Sequence, residues 1–334
     1  GKTSLVEALL FQTGAINRLG TVQAGTTVSD ADEDEHNRQL SIAMSLEHAT
    51  WQERKLNLLD IPGDPAFQGE VRTAAHVVDG MLVTVSGVMG VEVGTSRAWR
   101  LAEELGLARL VFVNMLDRER ADFFRTLEAL RTQLSTQCVA VHIPIGVEHE
   151  LTGIVDVLHM CAYTSPEGEK EGEPGEIPAD MADLVAEYRE KLLDAVVETD
   201  EGLMERYLDG QELDAHEVAA ALKAAVTNGE VFPVACGVAS KNLGTHALLD
   251  LLVEGVPSPA KKGSPIDVDG ASTALFVFKT VADPFAGRIN LFRVLAGTVT
   301  AETTLINLRT KGKERMGSLL ELQGKEHKPA LDFV

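Results

Sequence analysis

The sequence predicts an α/β fold with a mostly parallel sheet and helices on both faces, interrupted by a helical α+β insert and followed by a β-barrel. Three observations support this prediction. Short apolar runs alternate with helical stretches up to about residue 145, the middle of the chain is acidic and helical, and short strands with glycine-containing turns dominate from Ala274 onward. Buried strands that alternate with helices are typical of parallel sheets covered on both faces.

The first part of the chain contains short apolar runs that we predict to be strands, at residues 56–60, 81–85 and 110–114. Helices are predicted from residue 2 onward, where apolar residues follow at helical spacing, and near 92–105 and 122–135. Ligands of such sheets bind beyond the carboxyl ends of the strands. Asp60 and Asn114 fall at two such ends.

The alternation of strand and helix breaks around residues 147–165. A Glu-, Gly- and Pro-rich stretch at 165–178 is predicted to be a solvated loop, and amphipathic helices follow near 179–197, 200–208 and 214–227. A strand at 231–236 and a helix near 244–255 then resume the first pattern. This order indicates an insertion within one α/β domain.

The last part of the chain is predicted to be all-β. Strands are expected at 275–281, 288–295, 305–308 and 315–322, with turns that contain glycine between them. Short strands at this spacing are typical of a small barrel.

Composition excludes several classes of protein. The net charge of −21 argues against a general nucleic-acid coat, and residues 166–214 alone contain 17 acidic and 4 basic side chains. No apolar run approaches the roughly 18 residues of a membrane span. Cys138, Cys161 and Cys236 are odd in number and far apart, so we interpret them as free thiols in a reducing cytoplasm.

Two motifs predict a site for phosphate and Mg²⁺. Gly1-Lys2-Thr3-Ser4 matches the end of the phosphate-binding pattern G-x-x-x-x-G-K-[ST], in which the Lys reaches the β/γ-phosphates and the Ser/Thr hydroxyl binds Mg²⁺. Asp60-Ile61-Pro62-Gly63 follows a predicted strand. A carboxylate there can hold Mg²⁺ through water, and the Gly63 N–H can approach a γ-phosphate.

A third motif predicts the base. Asn114-Met115-Leu116-Asp117 follows another strand, and an Asp in this position can accept hydrogen bonds from guanine N1–H and the 2-amino group, a pattern that adenine cannot offer. In this order and on these strand ends, the three motifs predict a P-loop domain that binds a guanine nucleotide, GTP or GDP, with Mg²⁺.

At this point the chain resembles a known family, translation elongation factor G, and most of all its elongation factor G-like paralogues. The stretches that carry the resemblance are 1–10, 25–30, 69–72, 90–92, 99–100, 241–244, 277–279, 283–288 and 292–294. The helical insert favours this family over most other translation GTPases. The resemblance implies a monomeric cytoplasmic GTPase that acts on the ribosome, without a membrane or DNA partner, and with RNA-mimicking domains after Val334.

The resemblance also implies roles for individual residues. Ser41, in Arg38-Gln39-Leu40-Ser41-Ile42, would replace the first-switch Thr of the family and complete the Mg²⁺ site with Thr3 and with Asp60, which acts through water. Val238-Ala239 stands for the family's S-A pair, and the Ala239 N–H would face guanine O6. The implied nucleotide-binding set is Gly1, Lys2, Thr3, Ser4, Asp60, Asn114, Asp117, Val238 and Ala239.

Two departures from the family pattern concern catalysis and affinity. Next to Gly63, Asp64 stands where the family's His orients the attacking water, and an anionic side chain near the γ-phosphate would be a poor substitute. Met115 replaces the Lys of N-K-x-D. It can pack on the face of the base, so we expect weaker affinity, with specificity kept through Asp117.

The motifs and the resemblance together suggest a division of the chain. We expect the first strand and the start of the phosphate loop to be missing before Gly1, the barrel to be incomplete, and the chain itself to bind GTP poorly or not at all. Without that strand the sheet would have a gap or an exposed edge. The predicted units are the first part of the GTPase domain (1–146), the insert (147–228), the last part of the GTPase domain (229–258), a linker (259–272) and the translation-factor barrel (273–334).

Several functional interpretations stay open at the level of the sequence. The first is a ribosome-dependent GTPase of the translocation type, and the second is a nucleotide-binding ribosome regulator with little or no hydrolysis, suggested by Asp64 and Met115. The third is a scaffold-like remnant without nucleotide function. Ribosome-protection and release-type GTPases share the same domains and are further alternatives.

Overall fold

The central sheet of the protein is parallel, as the sequence predicts. The computed structural model describes residues 1–30, 32–164, 169–262, 273–283 and 287–334. Four parallel strands are ordered β3 (Gly80–Ser86), β4 (Ala108–Asn114), β9 (Phe232–Cys236) and β5 (Cys138–Ala140). All seven residues of β4 are buried, because both faces of a parallel sheet are covered by packed elements.

Helices surround this sheet close to the predicted positions. Asp122 begins one of them by accepting a hydrogen bond from the Arg125 N–H, and Asp214 begins another with the Glu217 side chain as its partner in a capping box. The helices of the α/β part are α1 (Lys2–Thr13), α3 (Gln68–Ala75), α4 (Val93–Glu104), α5 (Phe123–Gln133) and α9 (Thr245–Gly255). The chain also forms the short helices α2 (Glu33–Arg38) and α10 (Pro259–Lys262).

The predicted strand at 56–60 lies outside the parallel sheet. It is β2 (Arg54–Asp60), which pairs antiparallel with β1 (Ser45–Trp51) through a two-residue turn whose φ angles are both positive, as in type I′ hairpins. Side chains of β2 and β3 line one cleft without hydrogen-bonding to each other. In the described part of the chain, β2 thus belongs to a separate two-stranded sheet and β3 lies at one edge of the four-stranded sheet.

The insert adds a small antiparallel sheet to the predicted helices. Strands β6 (His142–Ile145), β7 (Gly153–Asp156) and β8 (Cys161–Thr164) form this sheet in sequence order. The three predicted helices are confirmed as α6 (Ala182–Val197), α7 (Glu201–Leu208) and α8 (Ala215–Asn228).

The prediction of a solvated loop at 165–178 is wrong at one residue that matters. Glu171 is 5% exposed, because its carboxylate and its backbone both find hydrogen-bond donors and acceptors in the α/β part. Residues 165–168 lie outside the described part of the chain.

The C-terminal part consists of antiparallel strands, as predicted for a barrel. One predicted strand, 315–322, is wrong as a single element, because residues 316–318 separate two strands that pair with different partners. The linker residues 263–272 and residues 284–286 of the 283–288 motif lie outside the described ranges. The strands are β10 (Ala274–Asp283), β11 (Gly287–Ala296), β12 (Val299–Thr300), β13 (Thr304–Ile306), β14 (Lys313–Arg315), β15 (Leu319–Gln323), β16 (Glu326–Ala330) and β17 (Asp332–Phe333). They pair as β10–β11, β12–β17, β13–β14 and β15–β16.

The turn between β15 and β16 contacts the first part of the chain. The Gly324 N–H donates to the Leu46 carbonyl over 3.1 Å, and His48 Nδ1 lies 3.0 Å from the Leu322 carbonyl. Gly324 has φ +60°, and a Cβ at this position would lie 2.3 Å from the carbonyl oxygen of Val28. The close approach to Val28 therefore requires glycine.

A partly buried ionic cluster joins the insert to α9. His159 Nδ1 lies 2.8 Å from Asp156 Oδ2, and His159 Nε2 lies 3.2 Å from Glu254 Oε2. The hydrogen bond to Asp156, followed by that to Glu254, raises the pKa of His159 to about 10. His159 is therefore charged at neutral pH and holds two carboxylates together.

Among the described residues, no helix has the length and apolar character of a membrane span.

Replacing this histidine should destabilise the protein in a pH-dependent way. The imidazolium contribution is fully present below the unfolded pKa of about 6.5 and is lost as pH rises through the folded pKa of about 10. For His159→Leu we expect a loss of about 1–2 kcal/mol in the free energy of unfolding at pH 6, since the side chain is partly exposed to screening solvent. Urea denaturation should show this difference shrinking towards pH 10. His149→Gln, at an exposed position, is the matched control, and a difference independent of pH would show that packing alone is lost.

Candidate nucleotide-binding site

The predicted phosphate end of the site lies at the start of α1. Lys2 points towards Gly63, because a Cβ built on Gly63 would lie 2.6 Å from Lys2 Nζ. Any side chain at position 63 would therefore displace the lysine. Ser4 lies on the first turn of the same helix and is half-buried.

Two predicted metal ligands are already in contact. Thr3 Oγ1 and Ser41 Oγ are 3.1 Å apart, and the Ser41 hydroxyl donates to Asp30 Oδ1 over 2.6 Å. The contact links α1 to a residue 38 positions further along the chain. Ser41 therefore lies beside Thr3, the other hydroxyl that is predicted to hold Mg²⁺.

Asp60 lies at the end of β2, and its carboxylate interacts with the Thr3 hydroxyl. It is 4% exposed, and its Oδ2 is buried without a hydrogen-bond partner in the described part of the chain. Burial raises the pKa of Asp60 to about 6, opposed by the Thr3 hydroxyl and the Lys2 charge. A buried, unpaired carboxylate oxygen near the Thr3 hydroxyl fits a hard cation such as Mg²⁺, which takes one or two carboxylates from protein and the rest from phosphate and water.

A second buried carboxyl lies behind Asp60 and was missed by the sequence analysis. Glu47 on β1 has no solvent exposure, and both its oxygens lack a partner among the described residues. Burial, and then the nearby charge of Asp60, raise the pKa of Glu47 to about 8. The group is therefore protonated at neutral pH, which limits the negative charge beside Asp60.

The segment between α1 and β1 is held by buried carboxylates. Glu7 on α1 accepts hydrogen bonds from the N–H groups of Gly20 (3.0 Å) and Val28 (2.9 Å). Glu35 on α2 accepts from Ile42 (3.0 Å) and Ala43 (3.3 Å), which fixes the backbone on the C-terminal side of Ser41.

The C-terminal strands also reach this segment. Glu70 on α3 accepts the Met44 N–H over 2.8 Å, and Lys279 of β10 donates to both Glu70 Oε2 (2.5 Å) and the Met44 carbonyl (3.2 Å). A second ion pair, between Arg293 of β11 and Asp79, measures 2.6 Å. The first set of contacts joins the antiparallel strands to the segment that follows Ser41, and the second joins them to the residue that precedes β3.

At the other end of the site, Asn114 connects the loops. Its Nδ2 donates to the Gly1 carbonyl over 3.3 Å, and its Oδ1 accepts the N–H groups of Met115 (2.8 Å) and Ala239 (3.0 Å). The start of α1 and the loop after β9 are thus tied through one side chain. The Ala239 N–H, which the resemblance directs to guanine O6, is engaged with Asn114 in this structure.

The residues predicted to face the base lie beside this connection. Asp117 is partly buried, and its Oδ2 is 3.6 Å from Lys241 Nζ. Met115 has φ +64° and packs against the start of α1, since its Cε lies 3.3 Å from a Cβ built on Gly1. Val238 is buried and pairs with Leu243.

Asp64 has a local structural role. Its Oδ1 accepts the Ala66 N–H over 2.8 Å and so begins the short 3-10 helix Pro65–Phe67. The carboxylate follows Gly63 directly, but one of its oxygens is used by the backbone.

The structure brings the predicted residues to one side of the molecule. The predicted nucleotide-binding and metal-binding residues lie on five segments. These are the carboxyl ends of β2, β4 and β9, the start of α1 and the segment that contains Ser41. The carboxylates that hold the loops are not among the residues predicted from the sequence, although Glu35 follows Asp32 at the spacing of a capping box, which is a recognisable signal. Glu7, Glu47 and Glu171 have no such local signal.

Loops of this kind at the carboxyl ends of a parallel sheet, with a Lys and a hydroxyl at the first helix, define a nucleotide-binding domain of the P-loop GTPase class. Residues 1–258 match the family described as the Elongation factor Tu GTP binding domain, and the chain belongs to this family of translation GTPases.

The chain is also similar to a solved structure. A crystal structure of a protein from Thermus thermophilus shares 35% sequence identity with it, at a TM-score of 0.89. The match covers 100% of this chain and 49% of the Thermus chain. The chain therefore spans about half the length of that protein.

Removal of the Ser41 hydroxyl should weaken the binding of GTP with Mg²⁺ more than that of GDP. In the full-length protein we expect Ser41→Ala to lower the affinity for a GTP analogue by up to about tenfold, the equivalent of one hydrogen bond or ligand contact. Ser41→Thr should keep the affinity, since Thr retains the hydroxyl. Ser96→Ala, on α4, is the control. Titration with a fluorescent GTP analogue measures the affinity. If Ser41→Ala binds the analogue as tightly as the wild type does, Ser41 is not part of the binding site.

Proposed function

We propose that this chain forms the nucleotide-binding part of a ribosome-associated GTPase of the elongation factor G type, which binds GTP and GDP with Mg²⁺. The observation that carries the proposal is the single connected site described above. Lys2, Asp60 and Ser41 lie at its phosphate end, and Asn114 links that end to Ala239 beside Asp117. A purine nucleotide with its metal ion accounts for this combination of groups in one place.

Each group has a task that follows from its position. Lys2 would neutralise the β/γ-phosphates, and the N–H of Gly63 would reach the γ-phosphate because nothing but hydrogen projects from its α-carbon. Thr3, Ser41 and Asp60 would hold Mg²⁺, which supplies charge neutralisation between the phosphates. Asp117 would accept the two guanine N–H donors.

The choice between hydrolysis and simple binding turns on Asp64. Its carboxylate would repel the γ-phosphate when ionised, and one oxygen already accepts the Ala66 N–H. A regulator that cycles with little hydrolysis is therefore the alternative to a ribosome-stimulated GTPase. We favour the GTPase, because contact with a ribosome can supply the catalytic group in trans, as activating partners do for other GTPases.

The domain division and the cellular setting belong to the same proposal. The units are the GTPase domain at 1–146 and 229–258, the insert at 147–228, the linker at 259–272 and the barrel at 273–334. The order of helices and strands supports these boundaries, although β6 pairs with β7 across the first of them. A cytoplasmic, monomeric protein fits the resemblance, and ribosome-protection or release-type factors share the same two folded parts.

Guanine specificity provides a direct test. In the full-length protein, GDP should displace a fluorescent GDP analogue far better than ADP, and Asp117→Asn should lower GDP affinity by about 10- to 100-fold, because the Asn amide presents a donor where guanine also donates. The same variant should gain affinity for xanthosine diphosphate, whose C2 carbonyl accepts that donor. Glu119→Gln, at an exposed site, should behave as wild type. Equal displacement by ADP and GDP would contradict the proposed site.

Ribosome dependence provides the second test. GTP turnover by the full-length protein should be slow alone and should rise strongly when ribosomes are added. We expect Asp64→His to change the stimulated rate much less than the roughly 100-fold or more that a general base contributes. Asp64→Asn keeps an acceptor for the Ala66 N–H and controls for the lost cap. Nucleotide binding without any ribosome stimulation would favour the non-hydrolysing regulator.

A further inference from the structure

Glu171, in the acidic loop formed by the described residues of the Glu-rich stretch 165–178, contacts the start of α9. Glu171 Oε1 accepts the Gly244 N–H over 2.7 Å, and its Oε2 accepts the His246 N–H over 2.7 Å and lies 3.2 Å from the Thr245 hydroxyl oxygen. The first N–H groups of a helix have no partner within the helix, and a carboxylate there also benefits from the helix dipole. Glu171 is buried with these donors.

The backbone of the same residue is tied to α1. Gln12 accepts the Glu171 N–H over 2.9 Å and donates to the Glu171 carbonyl over 3.0 Å. Gln12 Oε1 also accepts from Asn242 Nδ2 over 2.8 Å. Glu171, Gln12 and Asn242 therefore form one buried hydrogen-bonded unit between α1, the acidic loop and the loop after β9.

The loop after β9 has little freedom of its own. Gly237 and Gly244 approach neighbouring backbone so closely that a Cβ would lie 2.1 Å from the Leu243 carbonyl oxygen and 2.4 Å from the Cys236 carbonyl oxygen, respectively. Asn242 adopts φ +55° between them. Thr245 holds this turn by donating to Asn242 Oδ1 over 2.7 Å, and Thr245 is itself a contact of Glu171.

This loop carries the contacts of the base end. The Ala239 N–H reaches Asn114 Oδ1, and Lys241 lies 3.6 Å from Asp117 Oδ2. Residues 238 and 243 pair with each other across the loop. The proposed function places Ala239 and Asp117 around guanine. A change at Glu171 would therefore affect these two residues through Asn242, Gly244 and the pairing of residues 238 and 243.

We infer that Glu171 is a positioning residue for guanine-nucleotide binding, whose carboxylate holds the 238–243 loop in register with Asn114 and Asp117 and thereby slows nucleotide release. The inference rests on the proposed function for its ligand, whereas the contacts themselves are those of the structure. Glu171 acts through the loop and not by touching the nucleotide. Its loss should thus raise the dissociation rate without changing the hydrolysis of GTP that is already bound.

The test compares Glu171→Gln with Glu173→Gln in the full-length protein, since Glu173 is an exposed carboxylate of the same loop. Glutamine keeps the size of the side chain but loses the charge and replaces one acceptor by a donor. We expect the dissociation rate of fluorescent GDP to rise about tenfold in Glu171→Gln, as for the loss of one charge-assisted hydrogen bond. Single-turnover hydrolysis of prebound GTP should stay within about twofold.

A second pair of variants covers the case in which Glu171→Gln folds poorly. Thr245→Val removes one contact of Glu171 and should raise the dissociation rate by a few fold, whereas Thr245→Ser keeps the hydroxyl and should behave as wild type. Thermal unfolding of all variants shows whether a rate change merely follows lost stability. An unchanged GDP dissociation rate in both Glu171→Gln and Thr245→Val would overturn the inference.

Hydrogen exchange separates this inference from the proposed function. Without nucleotide, the amides of Ala239, Gly244 and His246 should exchange faster in Glu171→Gln than in Glu173→Gln. If wild type binds no guanine nucleotide, the proposed function fails and the inferred role fails with it, although the exchange data would still report the contacts. If wild type binds GDP and the exchange of Ala239 is unchanged in Glu171→Gln, only the positioning role is overturned.

Discussion

Buried or half-buried carboxylates that accept backbone N–H groups hold the loops that carry the candidate site. Glu7 and Glu35 fix the segment that carries Ser41, Glu70 holds Met44 at its end, and Glu171 holds the start of α9. Loop amides have no strand or helix partner, so an unpaired one in the interior would cost free energy. Charged acceptors meet this need more strongly than neutral ones. These four side chains therefore fix the path of the loops that surround the candidate site.

The same preference for carboxylates creates an electrostatic imbalance at the phosphate end. Asp30, Glu47 and Asp60 are all buried there, and Lys2 is the cation that opposes Asp60 most. Burial raises the pKa of each of these carboxyls, which reduces but does not abolish the repulsion between them. A divalent cation together with a polyanionic ligand would restore balance, since the metal meets the carboxylates while Lys2 meets the phosphates. The local charge pattern thus agrees with the class of ligand that the family binds.

Sequence reasoning succeeds where a short-range pattern decides the structure. The apolar run of β4, the helix that starts at Lys2 and the order of the motifs around Asp60 and Asp117 all follow from local periodicity and spacing. Sequence reasoning fails where contacts between segments far apart in the chain determine the burial or pairing of a residue. Glu171 lies in an acidic stretch that is typical of solvated loops, and only the donors of α9 and the side chain of Gln12, 159 residues away, make its burial favourable. The break at residues 316–318 was missed for a related reason, because strand pairing there is set by partners that are not adjacent in sequence.

The turn at Gly324 links the path of one loop to the placement of the C-terminal strands. Its α-carbon rests so near the Val28 carbonyl that not even a methyl group fits between them, and Val28 is in turn fastened to α1 by Glu7. Close-packed surfaces of this kind transmit displacement because they have no slack to absorb it. A backbone shift at Val28 would therefore displace the hairpin of β15 and β16 as well, because the contact leaves no room for the two segments to move independently.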